Sequence, residues 1–361
     1  MKNGGTTAVI ARNNAFAFSA VAPYRVTAFD PNVNGQVNTI ACGTDGSVLL
    51  GGNFTTAGGA ANRNIAKVNA TTGASMPFSY HPFAEVFGME IVQGHLLVGG
   101  AFAGFLDSRN PVTGADDGYG TPAISGTYVF PGVKSHRTQI YKIVPNPAGT
   151  AVLMTGVFTS VGGQHHEQIV RLNLGATATV SAWSPTELYT HCATAQPFYA
   201  QDAAWSPDGS SIYTATTGFK PFDQPATGPR TGPCDAAIAW PAEPQVEFDG
   251  HTWINYTGCD SLYSVAADAD TVFIGGHQRW ISNSNECDRN NTAPGRPQSG
   301  LGHLSAASGA DVPGPNRGRG LGAADLLRTP AGLWIASDNQ ANTNTCAGVS
   351  GRMGICFLPA A

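Results

Sequence analysis

Charged residues are scarce in this sequence. Asp, Glu, Lys and Arg make up 12% of its 361 residues, about half the ~25% that is usual in soluble domains. No apolar run reaches transmembrane length, so we predict no membrane insertion. The net charge is −5 and no basic cluster stands out, which argues against a nucleic-acid partner. No stretch keeps a helical period, while Gly (45) and Pro (24) are abundant, so we predict an all-β, turn-rich chain.

Local catalytic and metal-binding motifs are also missing. There is no GxSxG, and residues 165–167 (HHE) fall short of HExxH because Val170 stands where the second histidine is needed. We therefore predict that His165, His166 and Glu167 are solvated loop residues. Residues 30–35 resemble the start of a calcium loop, but Ala41 occupies the position of its bidentate acid, which favours a turn. The sequence predicts no metal and no cofactor.

The sequence does have an internal repeat. LLGGNF at 49–54 returns as LVGGAF at 97–102, LMTGVF at 153–158, ATTGF at 215–219, FIGGHQ at 273–278 and WIASDN at 334–339. The mean spacing is 57 residues, and such a period in strand-rich sequence is typical of a β-propeller. Paired glycines within the strand predict that another backbone approaches closely there.

Each repeat is predicted to form one antiparallel blade of four strands, a to d. The first full repeat holds a to d at 37–43, 48–54, 64–70 and 74–80, and later repeats begin near Val86, Ile140, Gln201, Leu262 and Leu321. The last repeat lacks a d strand, while residues 1–36 contain a spare one at 24–30. Pairing 24–30 with 352–358 would close the ring and leave no open edge. We predict one domain over 1–361 with six blades; a seventh blade built from 1–35 is the alternative.

Two segments resemble a known family. GGNFTTAGG with RNIAKVNATTG, and TGVFTSVGG with EQIVRLNL, are similar to the delta-sixty repeat of bacterial propeller proteins, and FDPNVNGQVNTIA resembles that family's inter-blade link. The resemblance is clearest over 12–75 and 150–175, while AAWSPDGSSIY at 203–213 is closer to the TolB-type propeller signature. The resemblance implies a secreted or surface-exposed β-propeller and no particular reaction.

The b–c connections carry the length variation between repeats. They are predicted at 55–63, 103–126, 159–167, 220–234, 279–299 and 340–351, whereas the a–b turns are short. Antiparallel order places all b–c loops on one face, where long loops favour binding. The alternative is that Arg–Asp pairs merely hold these loops to themselves. The ligand-binding candidates, with Trp280 as the expected anchor, are Asp107, Arg109, Asp116, Asp117, Tyr119, Asp223, Arg230, Arg279, Trp280, Asp288 and Arg289.

The cysteines follow the same geometry. The d–a and b–c loops of one blade should meet, which predicts the disulfides Cys192–Cys234 and Cys259–Cys287; a third, Cys346–Cys356, fits within the last blade. Cys42 is left over and is predicted to be a buried free thiol. Disulfides favour an oxidising compartment.

The sequence leaves three functions open. The first is a secreted or cell-surface binding module for carbohydrate or protein. The second is a hydrolase or lyase with catalytic groups from several blades, and the third is a structural module of a larger surface protein. Residues 1–22 lack the unbroken apolar core of a signal peptide, so we expect a mature form or a fragment. Oligomeric state stays open.

Overall fold

The repeat strands lie where the sequence predicts them. The computed structural model describes residues 10–21, 23–127, 137–192, 198–220, 231–243, 246–284, 295–318, 322–337, 345–346, 349–350 and 354–360. These residues are all-β apart from one 3-10 turn at Thr186–Tyr189. All six a strands begin within two residues of the predicted starts: Gln36–Cys42, Val86–Val92, Gln139–Pro145, Ala200–Trp205, Leu262–Ala267 and Ala323–Thr329. We number the repeats 1 to 6 by these strands.

Each a strand is followed by a b strand and a c strand. The b strands are Ser47–Asn53, His95–Gly100, Ala151–Val157, Ser211–Thr216, Thr271–Gly276 and Gly332–Ser337. The c strands are Ile65–Asn69, Leu106–Arg109, Ile169–Leu174, Ala236–Pro241, Leu301–Ser305 and Ile355–Pro359. The b strand lies between a and c in the sheets of repeats 1, 2, 4, 5 and 6, as expected for a meander. All-β architecture is therefore confirmed.

The fourth strand varies among the repeats. Repeat 4 has a full d strand at Trp253–Tyr256, and a short strand follows the c strand of repeat 3 at Ala178–Val180. In repeats 1, 2 and 5 the position is represented by one antiparallel bridge each: Val68 with Ser75, Arg109 with Asp116, and Leu304 with Asp311. The prediction of four-stranded blades throughout is therefore wrong for repeats 1, 2 and 5, where the fourth segment pairs through a single residue.

The observed partner of residues 24–30 is not the predicted segment 352–358. Val26 forms an antiparallel bridge with Phe18, and Arg12 holds the same segment by donating to the Phe29 and Thr27 carbonyls at 3.0 and 2.8 Å. Among the described residues, the last repeat forms a three-stranded sheet of a, b and c alone. The pairing of 24–30 with 352–358 is therefore not observed, and ring closure and blade number stay predictions.

The paired glycines have the predicted cause. A Cβ atom on Gly52 would lie 2.0 Å from the Gln36 carbonyl oxygen, and one on Gly276 would lie 2.3 Å from the Ser261 carbonyl oxygen. Real Cβ atoms do not approach that closely, so only glycine fits where the start of strand a crosses strand b.

In four repeats the b–c connection contains a hairpin whose two antiparallel strands have two residues each. Its strands are Thr56–Ala57 with Ala60–Ala61, Ser160–Val161 with Gln164–His165, Trp280–Ile281 with Arg296–Pro297, and Thr345–Cys346 with Val349–Ser350. In repeats 1 and 3 the turn is a glycine pair with positive φ at both positions: 63° and 81° at Gly58 and Gly59, 58° and 78° at Gly162 and Gly163. Two left-handed residues are what a type I′ hairpin turn requires. Three short strands lie outside these hairpins: Ile124–Ser125, Ser184–Pro185 and Glu247–Phe248.

The chain divides into two units. Unit 1 comprises Met1–Ile124, Thr138–Ile143 and Leu174–Thr179, and unit 2 comprises Ser125–Arg137, Val144–Asn173 and Val180–Ala361. Within each unit the apolar cores join successive repeats. In unit 1, Leu49 and Ile65 of repeat 1 pack with Val86 and Leu96 of repeat 2; in unit 2, one core joins repeats 3 and 4 and another joins repeats 4 and 5. The prediction of one domain over the whole chain stays a prediction.

Two predicted disulfides are confirmed. Cys192–Cys234 and Cys346–Cys356 are bonded, with Cα–Cα distances of 5.8 and 5.6 Å. The predicted Cys259–Cys287 pair cannot be followed, because Cys287 lies outside the described residues. Cys42 is free but exposed, so the prediction of a buried thiol is wrong. Alternate residues of a strand face opposite sides, and Ala41 holds the buried position beside it.

Candidate functional site

Asp107 and Arg109 lie on a strand and not in a long loop. The c strand of repeat 2 is Leu106–Arg109, directly after a short turn, so the predicted 24-residue b–c loop at 103–126 is wrong. Residues 110–114 (NPVTG) repeat 69–73 (NATTG) of repeat 1. In both, the asparagine side-chain oxygen accepts from the backbone N–H groups two and three residues later, at 2.9–3.0 Å. This Asx turn marks the end of the c strand.

The Arg109 side chain is occupied by neighbours in unit 1. It forms an ion pair with Asp107 and lies 3.7 Å from an Asp116 carboxylate oxygen. Its guanidinium carbon also lies 4.3 Å from the centre of the Tyr80 ring, a cation–π distance. Three of the predicted ligand-binding residues are therefore brought together, but they bind one another, as the loop-packing alternative predicts.

Asp117 and Tyr119 gather around His95. Asp117 Oδ2 lies 2.7 Å from His95 Nδ1 and accepts a hydrogen bond from Ser108 Oγ at 2.9 Å. Burial opposes ionisation of Asp117, but the hydrogen bonds from His95, the Tyr119 backbone and Ser108 outweigh it and lower its pKa. The Tyr119 ring stacks on His95 with centres 4.0 Å apart. Because Ser108 donates to the aspartate and not to the histidine, this group holds no activated nucleophile.

Arg279 in repeat 5 has a structural partner. Its Nε donates to Asp260 Oδ2 at 2.8 Å, and its backbone N–H donates to the same oxygen at 3.2 Å. The Asp260 side chain is only 7% exposed, so Arg279 compensates a buried carboxylate. Trp280 begins the hairpin strand Trp280–Ile281 opposite Pro297 and is half-buried; its role as a ligand anchor stays a prediction. Four further candidates lie outside the described residues: Asp223, Arg230, Asp288 and Arg289.

The b–c connection of repeat 3 places polar groups where the sequence did not predict a site. We call residues 158–168 the repeat 3 link and residues 54–64 the repeat 1 link. His165 is exposed, but His166 and Glu167 are only 2% and 8% exposed, so the prediction of three solvated loop residues is wrong for two of them. The error has a physical cause: polar sequence predicts solvent exposure, whereas the tight Gly162-Gly163 hairpin turns the residues after it inward.

Gln168 explains why the link returns to the sheet. Its φ is +65°, and its side-chain oxygen accepts from the backbone N–H groups of Tyr199 and Ala200 at 2.9 and 3.1 Å. These residues lead into the a strand of repeat 4. In the repeat 1 link, Asn64 has φ +62° and donates to the Pro82 and Ala84 carbonyls at 3.0 Å. An amide at this position therefore ties each link to the next repeat.

The repeat 3 link also holds buried polar atoms without hydrogen-bond partners. Among the described residues these include His166 Nδ1, Glu167 Oε2, Gln168 Nε2 and, on the adjacent b strand, Thr155 Oγ1. Burial, with a contribution from His165, lowers the pKa of His166 to about 4. Buried polar atoms normally find partners because an unpaired one destabilises the fold. Such a concentration marks this link as the candidate functional site, which we call the repeat 3 site.

A second segment of unit 2, residues 184–189, covers the site. The Tyr189 ring centre lies 4.6 Å from that of His165, and its hydroxyl donates to the His165 carbonyl at 3.1 Å. Ser184 Oγ lies 2.5 Å from the same hydroxyl. Burial raises the pKa of Tyr189, opposed by its hydrogen bond with Ser184 and reinforced by the charges of Glu247 and Glu167.

Two carboxylate–histidine pairs border the site. Glu167 Oε1 lies 2.9 Å from His165 Nε2, and Glu187 Oε2 lies 2.8 Å from His251 Nδ1. Among the described residues, no group of three or more His, Cys, Asp or Glu side chains is placed to hold a metal ion. The arrangement offers hydrogen-bond acceptors, an aromatic surface and one buried carboxylate oxygen that has no partner among the described residues.

No protein-family model and no curated protein matches the chain. Among solved structures, it is similar to the computationally designed Ika8 protein, with 8% identity over 90% of this chain and 84% of that one and a TM-score of 0.44. Sqt1 of Chaetomium thermophilum, bound to the N-terminus of ribosomal protein L10, shows 13% identity, 84% and 69% coverage and a TM-score of 0.43. The β-propeller domain of Cps50 (Swd1) of Myceliophteria thermophila shows 9% identity, 90% and 98% coverage and a TM-score of 0.43. At these scores the similarities carry no argument about function.

The part of the chain that the structure describes contains no helix that is both long and apolar enough to span a membrane.

Proposed function

We propose that this chain is a β-propeller that acts as a secreted or cell-surface binding module, and that its ligand contacts the repeat 3 site. The propeller arrangement is supported by the repeated a–b–c meander of repeats 1, 2, 4, 5 and 6 and by apolar cores that join repeats 1 with 2, 3 with 4 and 4 with 5. The extracellular location is supported by the two disulfides. Carbohydrate and protein are the two ligand classes that polar and aromatic surfaces of this kind suit.

One observation carries the proposed binding function. Glu167 is buried, yet among the described residues one of its carboxylate oxygens has no partner, while the adjacent His165 is 58% exposed. The equivalent residue of the repeat 1 link, Arg63, is exposed and packs on the Phe83 ring at 4.1 Å. If the repeat 3 link served stability alone, an exposed arginine like Arg63 could stand at position 167. A buried acceptor that lacks a partner is what a ligand donor would complete.

The test is a parallel screen on a glycan array and a peptide array. The purified chain is compared with Glu167→Arg, which carries the repeat 1 residue, and with Trp280→Ala. We expect ligands that wild type binds and Glu167→Arg does not, at unchanged melting temperature. Binding that only Trp280→Ala abolishes would move the site to repeat 5. The absence of any reproducible ligand on both arrays would contradict the proposed function.

A hydrolase or lyase is a second candidate, favoured by the displaced pKa values around Glu167. The pKa of His166 is lowered to about 4 and that of Tyr189 is raised, and such shifts are frequent at catalytic sites. Incubation with a panel of polysaccharides, followed by measurement of new reducing ends and of unsaturated products by ultraviolet absorbance, tests this activity. Activity that Glu167→Gln removes would establish the enzyme, and no product from any substrate would leave the binding module alone.

A further inference from the structure

We propose that the repeat 3 site recognises a cationic group, the guanidinium or ammonium of an arginine or lysine side chain in a peptide partner. This inference rests on the proposed binding function and adds the chemistry of the ligand. Three features support a cationic ligand: the charge of the segments that form the site, the unpaired buried oxygen of Glu167, and the aromatic surface beside it.

The segments that form the site contain acids and histidines but no basic residue. They are 159–168, 181–192, 198–205 and 246–256, and none of them includes Lys or Arg. The nearest basic residue in sequence, Arg171, is already engaged: it donates to the Ala242 carbonyl at 2.7 Å and lies 3.4 Å from Glu243. With neutral histidines, the site therefore has a net negative charge that no side chain of these segments balances.

Among the described residues, histidine is the ion-pair partner of two of the acids. Glu167 pairs with His165, and Glu187 pairs with His251. Glu247 is exposed and lies opposite Ser184 in the short parallel pairing that borders the site. Asp202 differs, because its carboxylate accepts from the Ala203 and Val265 backbone N–H groups and serves the fold.

The unpaired oxygen of Glu167 favours a charged donor. The residue is 8% exposed, and among the described residues Oε2 has no partner. A sugar hydroxyl would satisfy the hydrogen bond but leave the carboxylate charge uncompensated. A guanidinium or ammonium would supply both, and charge-assisted hydrogen bonds are roughly twice as strong as neutral ones.

The aromatic surface fits the same ligand. The Tyr189 and His165 rings lie together, 4.6 Å between centres, at the exposed end of the Glu167 pair. A planar guanidinium stacks on aromatic faces while it donates to a carboxylate. Arginine is therefore expected to bind more tightly than lysine at this site.

The proposal is tested by isothermal titration with four probes: acetyl-Gly-Arg-Gly-amide, the same peptide with lysine, the same peptide with citrulline, and a mixture of neutral oligosaccharides. Citrulline keeps the shape of arginine and removes its charge. Wild type should bind the arginine peptide at least roughly tenfold more tightly than the citrulline peptide, and added salt should weaken that binding. These two comparisons need no variant.

Glu167→Gln should weaken binding of the arginine peptide by roughly tenfold or more, with Asp270→Asn, an exposed acid in the a–b turn of repeat 5, as the unaffected control. Equal affinity for arginine and citrulline, no binding of the arginine peptide at millimolar concentration, or full affinity in a folded Glu167→Gln protein would each overturn the inference. Oligosaccharide binding that Glu167→Gln abolishes would also overturn it while leaving the proposed binding function intact. Failure of all four probes together with both arrays would contradict the binding function itself.

Discussion

The repeat 1 and repeat 3 links have nearly the same backbone but different polar chemistry. Each begins with a phenylalanine, Phe54 or Phe158, that is buried, turns through two left-handed glycines, and ends in a left-handed amide that ties it to the following repeat. The two positions just before the amide differ in character, Asn62 and Arg63 in repeat 1 against His166 and Glu167 in repeat 3. Asn62 is buried with its amide donating to the Ala57 carbonyl and Ser75 Oγ at 2.9 and 3.0 Å, whereas His166 is buried and its Nδ1 has no partner in the part of the chain that the structure describes.

The difference separates what the fold needs from what a ligand would need. The hairpin and the terminal amide occur in both links, so they belong to the architecture. The satisfied Asn62 and the exposed Arg63 show that the architecture does not require buried unpaired groups at these positions. The buried polar groups of His166 and Glu167 therefore exceed what the shared architecture needs, as is usual where residues are kept for function.

The largest effect should come from the disulfide that anchors the segment covering the repeat 3 site. Cys192 follows that segment and closes a 42-residue span with Cys234. Replacing both by alanine should lower the free energy of unfolding by about 4 kcal/mol, because the unfolded chain regains the entropy of that loop. Urea unfolding without reductant measures this, with Cys42→Ser as the control. A loss below about 1 kcal/mol would show that the covering segment does not depend on the bond.

The second largest effect should come from removing the side-chain amide that ends each link, Gln168 in repeat 3 or Asn64 in repeat 1. Gln168→Ala should lower the free energy of unfolding by about 3 kcal/mol, because the Tyr199 and Ala200 N–H groups would lose their acceptor in a buried place. Asn64→Ala should cost a similar amount, and Gln164→Ala, at an exposed hairpin position, close to nothing. Urea denaturation of all three decides whether the two links share this structural element; a cost in only one of them would break the comparison.

His166 should make stability depend on pH in a way that Asn62 does not. The pKa of His166 is lowered from 6.5 to about 4 in the folded protein, so between these values the unfolded state binds the additional proton. The free energy of unfolding should therefore decrease as the pH falls from 6.5 to 4, by roughly 2–3 kcal/mol. His166→Asn, which copies repeat 1, should remove this part of the dependence. Parallel pH profiles from wild type and variant would contradict it.

The smallest effect should come from Arg63, the exposed residue of the repeat 1 link that corresponds to Glu167. Arg63→Ala removes the contact with the Phe83 ring, which is 86% exposed, so the free energy of unfolding should fall by about 0.5 kcal/mol. Thermal unfolding monitored by circular dichroism measures it. A loss above about 2 kcal/mol would mean that Arg63 also has a structural role and that the two positions are less different than their exposure indicates.

Much of the repeat architecture could be predicted from the sequence, because glycine pairs and apolar alternation are local signals. The starts of all six a strands agree within two residues, and the placement of Cys192 and Cys234 was correct. The c strand of repeat 2 was missed because LDSR lacks the apolar pattern of IAKV. The following asparagine turn at Asn110 would have located it.

The repeat 3 site could not be predicted from local sequence, for a physical reason. Whether a polar residue after a tight hairpin faces solvent or core depends on backbone direction and on the segment that covers it, and Tyr189 comes from a separate stretch of chain. Arg109 and Arg279 were predicted as ligand contacts from residue type alone. Their acidic partners, Asp107 and Asp260, show that the type also suits internal ion pairs.

The central claim is that the polar residues of the repeat 3 link serve a ligand and not the fold. The most direct measurement is a triple variant, His165→Ala, His166→Asn and Glu167→Arg, which copies the repeat 1 residues and keeps Gln168. The account predicts a melting temperature equal to or above that of wild type, with binding of the arginine peptide and of any array ligand reduced at least roughly tenfold. A strongly lowered melting temperature with unchanged affinity would contradict it.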